Sequence, residues 1–292
     1  MFNTERIFIT GICGFIGRNL AAEAARNGYE VSGADIKVRD VPGAKVINAD
    51  IRDRDRMLGL TKGADYIVHL AAVTSNLEFE RRMPYSYEVN VNGFNSIIEA
   101  AYANKCRKFL YASSSAVYYN NAFSETSALN PDEMTNHYAK TKLINDMIAK
   151  SYTSCNLLDA VGMRFFNVYG PGENEKGDYA SIITLFTKMK KAGKPIAIYG
   201  DGRQARDLIY IQDAAKIILL LMKKSGKNLY NVGTGKATSY NEIADMIGGS
   251  REYVKNPLSS YQLFTKADNS RLLDEIGSFK FTDIKDYIKT LV

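Results

Sequence analysis

Thr10-Gly11-Ile12-Cys13-Gly14-Phe15-Ile16-Gly17 stands between a short apolar run at Arg6 to Thr10 and an amphipathic stretch at Phe15 to Asn27. Strand, glycine loop and helix in that order suit the phosphates of a dinucleotide. Gly11 allows a sharp turn, Gly14 lets backbone N–H groups approach a pyrophosphate at the helix N-terminus, and Gly17 lets the helix pack close to the sheet. The spacing is G-x-x-G-x-x-G rather than the G-x-G-x-x-G of many dehydrogenases. Gly11, Gly14, Phe15, Ile16 and Gly17 are the candidate cofactor contacts, with an ordinary turn as the alternative had the flanking pattern been absent.

Eighteen residues past Gly17, Asp35 ends a second strand, where a carboxylate can accept hydrogen bonds from an adenosine ribose. A 2′-phosphate would meet a like charge there, which favours NAD over NADP, although Lys37 and Arg39 lie close enough to blunt the repulsion. Asp50 and Ile51 after a third strand read as adenine contacts. Leu70, Ala71 and Ala72 after a fourth would let the chain pass close to the cofactor.

Further out, short β-branched runs alternate with longer amphipathic ones, the pattern of a parallel sheet covered on both faces. Strands are expected at Arg6 to Thr10, Glu30 to Asp35, Lys45 to Asn48, Tyr66 to Leu70, Lys108 to Ser113 and Leu157 to Met163. Helices are expected at Phe15 to Asn27, Arg54 to Thr61, Tyr85 to Asn104 and His137 to Ser154. This is an α/β chain with a Rossmann-type doubly wound parallel sheet over residues 1–165. Past Arg164, glycine and proline punctuation marks a smaller C-terminal substrate-binding lobe, residues 166–292, interleaved with the end of the sheet.

Apolar residues make up 46% of the 292 and charged residues 24%, the balance of a folded globular chain rather than a disordered one. The net charge of +6 comes from scattered Lys and Arg, so nucleic acid is not expected; a solvated, lysine-rich surface is the first reading of it and an anionic phosphorylated substrate the second. Three cysteines are too few and too widely spaced for a disulfide framework or zinc site and read as buried apolar residues. Two histidines, His69 and His137, leave no metal centre and make a histidine base unexpected. Met1 runs into the first strand without an apolar signal core, and the longest aliphatic run, Ile217 to Met222, is too short to span a bilayer. The expectation is a cytoplasmic protein with no membrane partner.

Tyr138 and Lys142 fall four residues apart at the start of a predicted helix, on one face. An ammonium beside a phenol favours the phenolate, so a group with an ordinary pKa of about 10 can become a base near neutral pH. Upstream, Ser113-Ser114-Ser115-Ala116-Val117-Tyr118 offers hydroxyls at the carboxyl end of a strand, where ligands of such sheets bind. A tyrosine and lysine at this spacing also occur by chance on surfaces; the strand end gives the pair its weight.

Together with Arg164-Phe165-Phe166-Asn167-Val168-Tyr169-Gly170-Pro171-Gly172 and with Gly200-Asp201-Gly202 leading to Arg206-Asp207, these motifs resemble the extended short-chain dehydrogenase/reductases of the nucleotide-sugar epimerase and dehydratase group. The resemblance runs in order from Ile7 to about Asp268. It implies a nucleotide-sugar substrate, Tyr138 as acid/base, Lys142 holding the nicotinamide ribose and lowering the tyrosine pKa, and Ser114 hydrogen-bonding the reacting hydroxyl. Ser115 competes for that serine role. It also implies that Asn167 contacts the substrate diphosphate and that Arg206 clamps its phosphates, as a guanidinium fork can; a capping amide and a surface ion pair are their alternatives.

Two departures leave the reacting groups in place: Tyr119 stands where the family usually has glycine, and Thr141 where serine is common. The acidic pair of the dehydratases is missing at Ser115 and Ala116, which argues against elimination of water. C4 epimerisation of a UDP-hexose through a 4-keto intermediate, as in UDP-glucose 4-epimerases, is the leading expectation. Tyr261-Gln262-Leu263-Phe264-Thr265-Lys266-Ala267-Asp268 and Glu175-Lys176-Gly177 resemble instead ADP-glycero-manno-heptose 6-epimerase, in which the lysine matching Lys176 is a second acid/base. A nucleotide 4-keto-sugar reductase and a non-catalytic NAD-binding protein complete the alternatives. By family analogy, the stretches Tyr85 to Asn104 and His137 to Ser154 would pair two copies into a homodimer through a four-helix bundle.

Overall fold

Near-continuous apolar runs such as Arg6 to Thr10 and Tyr66 to His69 can be buried on both faces only inside a sheet layered between helices, and that is how they are used. The structure, a computed structural model, describes residues 4–119, 122–224, 229–256 and 262–292. Tyr261, part of the heptose-epimerase likeness, lies outside the described residues. The strands are β1 Arg6–Thr10, β2 Glu30–Asp35, β3 Ala44–Asn48, β4 Tyr66–His69, β5 Lys108–Ser114, β6 Ala160–Phe165, β7 Asn167–Tyr169, β8 Ile196–Tyr199, β9 Ala205–Tyr210, β10 Leu229–Val232, β11 Ala237–Ser239 and β12 Arg251–Val254.

The central sheet is wholly parallel, in the order β10-β6-β5-β4-β1-β2-β3. The chain winds outward from β1 through β2 to β3, then crosses back to β4, which leaves a crevice at the carboxyl ends of β1 and β4. Register sharpens it: Thr10 pairs with both Ala34 and His69, bringing Gly11, Asp35 and Leu70 to the same edge. Alternate side chains feed two cores. Ile7 and Ile9 pack with Leu20, Ala21, Ile217 and Leu221 on one face, while Phe8 packs with Ile67, Phe94, Ile97 and Phe109 on the other.

The second lobe is built from β11-β9-β7 and β12-β8 around Ile183, Phe186, Ile198 and Ile243. Its chain does not stay apart. Helix Ile211–Met222 covers the first core, and β10 returns to extend the central sheet beside β6. That seventh strand is absent from the sequence reading, as is helix Asn76–Arg81.

Three other expectations change. The strand expected at Leu157 to Met163 begins at Ala160, because helix His137–Ser154 ends with Asn156 at φ +53°. There Leu157 N–H donates to Tyr152 O at 2.9 Å and Asn156 N–H to Thr153 O at 3.0 Å. The single helix expected at Tyr85 to Asn104 is three pieces, Met83–Tyr87, a π-turn at Glu88–Asn92 and Gly93–Ala103. Of the cysteines, Cys13 and Cys106 are buried but Cys155, at that helix end, is exposed.

Candidate active site

Gly11 has φ +70°, and a Cβ there would lie 2.7 Å from Ala71 N. A Cβ on Gly17 would lie 2.2 Å from Gly11 O. Both glycines are demanded by the chain's own packing: one by β4's exit, the other by the loop folding onto its helix. Gly14 is different. It is exposed at the N-cap of the 12-residue helix Phe15–Arg26, with no side-chain cap and no acid in the first turn. The first N–H to return to the helix is that of Arg18, to Gly14 O at 3.1 Å. An uncapped N-terminus whose residues Gly14, Phe15, Ile16 and Gly17 line a cavity is a fitting cradle for a pyrophosphate.

Two cavities share Gly11, Gly14, Leu70 and Ala72 as a common wall. The first, about 320 Å³, is closed by Asp35, Ile36, Lys37, Asp50, Ile51, Ala71, Val73 and Tyr85, and so gathers every residue expected at the adenosine end. Asp35 is held ready by the N–H groups of Cys13 (3.1 Å) and Lys37 (3.0 Å). Asp50 is locked by the Arg52 guanidinium, which holds its carboxyl below the usual range against the opposing effect of burial.

The second cavity, about 600 Å³, brings Ser114, Tyr138 and Lys142 together with Asn167 and Lys176. Ser114 closes β5, and its Oγ accepts from Ala116 N–H at 3.2 Å, starting the short 3₁₀ turn Ser115–Tyr118. Tyr138 is the second residue of helix His137–Ser154, capped by Asn136 Oδ1 on Ala139 N–H. One turn later Lys142, 2% exposed, donates from Nζ to Ala112 O at 2.8 Å and lies 5.7 Å from the Tyr138 ring centroid. Lys176, whose Nζ is 4.1 Å from the Phe15 ring centroid, lines the same cavity.

Burial governs the protonation of these groups. It raises the Tyr138 phenol above its ordinary value, with the Ser114 hydroxyl pulling the other way. It lowers Lys142 to about 8 and outweighs the carboxylate of Asp146, which opposes it. The lowering expected of Tyr138 from Lys142 therefore does not show in the protein alone; desolvation dominates both groups, and the proton of the pair is loosened on the lysine side. Lys176 is also lowered by burial, against Glu173. His69 is a core residue, hydrogen-bonded to Thr10 Oγ1 at 2.8 Å and pushed down to about 3 by burial.

Not every expected residue reaches the cavities. Ser115 turns into the interior, 8% exposed, and does not line them. Arg206 sits on β9 with its guanidinium donating to Ala205 O at 2.9 Å and to Gln262 O, away from both walls. Sequence reasoning in turn missed Asn90 and Glu173. Asn90, in the π-turn, bonds Val73 N–H (2.8 Å), Val73 O (2.9 Å) and Thr141 Oγ1 (3.1 Å), tying the cavity wall to the helix that carries Tyr138 and Lys142. π-turns of this kind often mark functional sites. Glu173, 1% exposed, accepts from Lys176 Nζ (3.1 Å), Ser181 N–H (2.8 Å), Ser181 Oγ (2.6 Å) and Thr184 Oγ1 (2.9 Å). An asparagine in a helical stretch and an acid beside glycines were the available signals, and neither is specific.

Residues 7–233 match the model of the NAD dependent epimerase/dehydratase family. A Methanocaldococcus jannaschii protein, provisionally named a UDP-glucose 4-epimerase, is 32% identical over 98% of this chain and 97% of its own. The ADP-L-glycero-D-manno-heptose-6-epimerase of Alkalilimnicola ehrlichii is 30% identical over 97% and 95%. Among solved structures, the UDP-N-acetylglucosamine 4-epimerase of Methanobrevibacter ruminantium M1, in complex with UDP-N-acetylmuramic acid, superposes with a TM-score of 0.89 at 26% identity, covering 99% of this chain and 97% of that one.

Proposed function

The chain belongs to the NAD-dependent epimerase/dehydratase family, and from that premise we propose that it epimerises a nucleotide sugar, inverting C4 of a UDP-hexose through a 4-keto intermediate. The observation that carries this reading is the meeting of Ser114, Tyr138 and Lys142 on one cavity with the glycine loop. The dinucleotide, when bound, supplies a reversible hydride acceptor. Tyr138 removes the 4-hydroxyl proton as C4 is oxidised, and gives it back once the keto sugar has turned and C4 is reduced on its other face. Ser114 orients that hydroxyl, and Lys142 anchors the nicotinamide ribose. Asn167, exposed at the rim, meets the diphosphate. A clamp by Arg206 would use a guanidinium that already donates to the Ala205 and Gln262 carbonyls.

A second reading rests on Lys176. Its Nζ shares the cavity with Tyr138 and is positioned by Glu173, an arrangement that would serve a two-base 6-epimerase acting on an ADP-heptose. Turnover of UDP-glucose and of ADP-glycero-manno-heptose, with product separation, tests both readings. Tyr138→Phe should cut turnover by roughly two to four orders of magnitude on the true substrate. An equal loss in Lys176→Ala selects the two-base reaction, and a small one the single-tyrosine reaction. Near wild-type turnover in Tyr138→Phe sinks both.

We further propose a cytoplasmic homodimer joined along helices Gly93–Ala103 and His137–Ser154, where Tyr102 and Met147 are exposed. Among the described residues no helix is long and apolar enough to cross a membrane. Solution scattering at micromolar concentration should give twice the chain mass; a monomer would exclude the pairing.

A further inference from the structure

One carboxylate ties together three segments that belong to the cofactor site. Glu175 Oε1 accepts from Arg18 Nη1 at 2.7 Å, and its Oε2 accepts from Arg39 Nη1. Arg18 lies on the helix that begins at the glycine loop, and its other terminal nitrogen donates to Gly172 O. Arg39 follows β2 by four residues, and its carbonyl is 3.8 Å from Cys13 Sγ. Cys13 N–H in turn donates to Asp35. The loop carrying Arg39 is thus folded against the same turn that holds the ribose-recognising carboxylate. Lys176, the next residue after Glu175, lines the neighbouring cavity.

This arrangement changes how Arg39 is read. From the sequence, Arg39 is, with Lys37, a cation close enough to Asp35 to blunt its repulsion of the 2′-phosphate of NADP. In the structure its guanidinium is engaged by a carboxylate contributed from the second lobe. The two guanidinium groups hold the Glu175 carboxyl below the usual carboxylate range, so it is charged at neutral pH. The three side chains are partly exposed, at 22%, 47% and 51% for Arg18, Arg39 and Glu175, and each pair alone is worth little to stability. Its effect lies instead in where the charge of Arg39 is spent, and in linking the turn Glu173–Tyr179 to the helix under the pyrophosphate cradle.

We propose that Glu175 is a specificity-determining residue for the dinucleotide. By engaging Arg39 it withholds the guanidinium that a 2′-phosphate would need, and by engaging Arg18 as well it clasps the second lobe to the glycine-loop helix and slows escape of bound NAD. Asp35 repels the extra phosphate directly; Glu175 removes its alternative partner. The idea goes beyond the reaction proposed above, because it holds whichever sugar is turned over.

The test compares wild type, Glu175→Gln, Arg39→Ala and the double variant for binding of NAD and NADP by calorimetry at low ionic strength, where partly exposed pairs are least screened. Glu175→Gln keeps the side-chain size in a partly exposed turn. It should shift the NADP-to-NAD affinity ratio toward NADP by about tenfold, the worth of one charge-assisted guanidinium–phosphate contact. The nucleotide retained through gel filtration should fall in the same variant. Adding Arg39→Ala should abolish the gain for NADP without restoring retention of NAD. An unchanged ratio in Glu175→Gln, or a gain that survives Arg39→Ala, overturns the proposal; so does a wild type that already prefers NADP.

Discussion

Burial moves Lys142 and Tyr138 in opposite directions, the lysine down and the phenol up. The lysine, buried against Ala112 O, loses its proton at about 8, while burial keeps the phenol above its ordinary value. As pH rises, Lys142 loses its proton before Tyr138 does. The form that has lost one proton is the one able to accept the substrate's hydroxyl proton. We therefore expect kcat/KM to rise through about pH 8 and then level off. In Lys142→Ala the phenol titrates alone, and the rise should move above the ordinary tyrosine value of 10. A pH profile of both proteins checks this, and coincident curves would mean that another group supplies the base. His69, neutral at any pH above about 3, contributes nothing to that profile.

At the scale of elements, the π-turn Glu88–Asn92 is where local pattern and tertiary demand part company. The apolar periodicity of Tyr85 to Asn104 reads as one helix, and it does continue from Gly93 to Ala103 with Phe94, Ile97, Ile98 and Ala101 buried. What the pattern cannot carry is Asn90, whose three bonds reach 17 residues back and 51 forward. Asn90→Ala leaves the Val73 N–H and carbonyl without their side-chain partner and should cost about 1–3 kcal/mol, measured by chemical denaturation. A loss below a few tenths would show that the tie is dispensable. The same contrast runs through the site. Gly11, Gly14, Gly17, Tyr138 and Lys142 were legible because each answers a local need: a left-handed turn, a bare helix end, one helical turn between two side chains. Glu173, Asn90 and strand β10 were not, since each gains its meaning from partners distant in sequence, and a four-residue Leu-Tyr-Asn-Val run carries no period of its own. Ser115 and Arg206 show the converse: a motif position alone does not say which way a side chain turns.

For the whole molecule, the point at issue is whether the dinucleotide-binding half stands by itself. The flank of β6 is covered by β10, and Phe166 N–H donates to Val232 O at 3.0 Å across the seam. Helix Ile211–Met222 supplies Ile217, Ile218 and Leu221 to the core that Leu20 and Ala21 share. A fragment of residues 1–165 would lack both and should be insoluble or partly unfolded when expressed alone, whereas one of residues 1–233 keeps the complete sheet. Circular dichroism and urea titration of the two fragments distinguish them; cooperative unfolding of the shorter one would refute the dependence. The lateness of β10 also has a bearing on birth at the ribosome. At roughly 5–20 residues per second, some 3–13 s separate the synthesis of β6 from that of its outer neighbour. Through that interval the growing chain shows an unpaired strand edge whose six residues, Arg164 among them, are all buried in the finished protein, the kind of edge that invites pairing with another nascent chain. Fast translation across Asn167 to Val232 would shorten that exposure, and a chaperone waiting there would shield it.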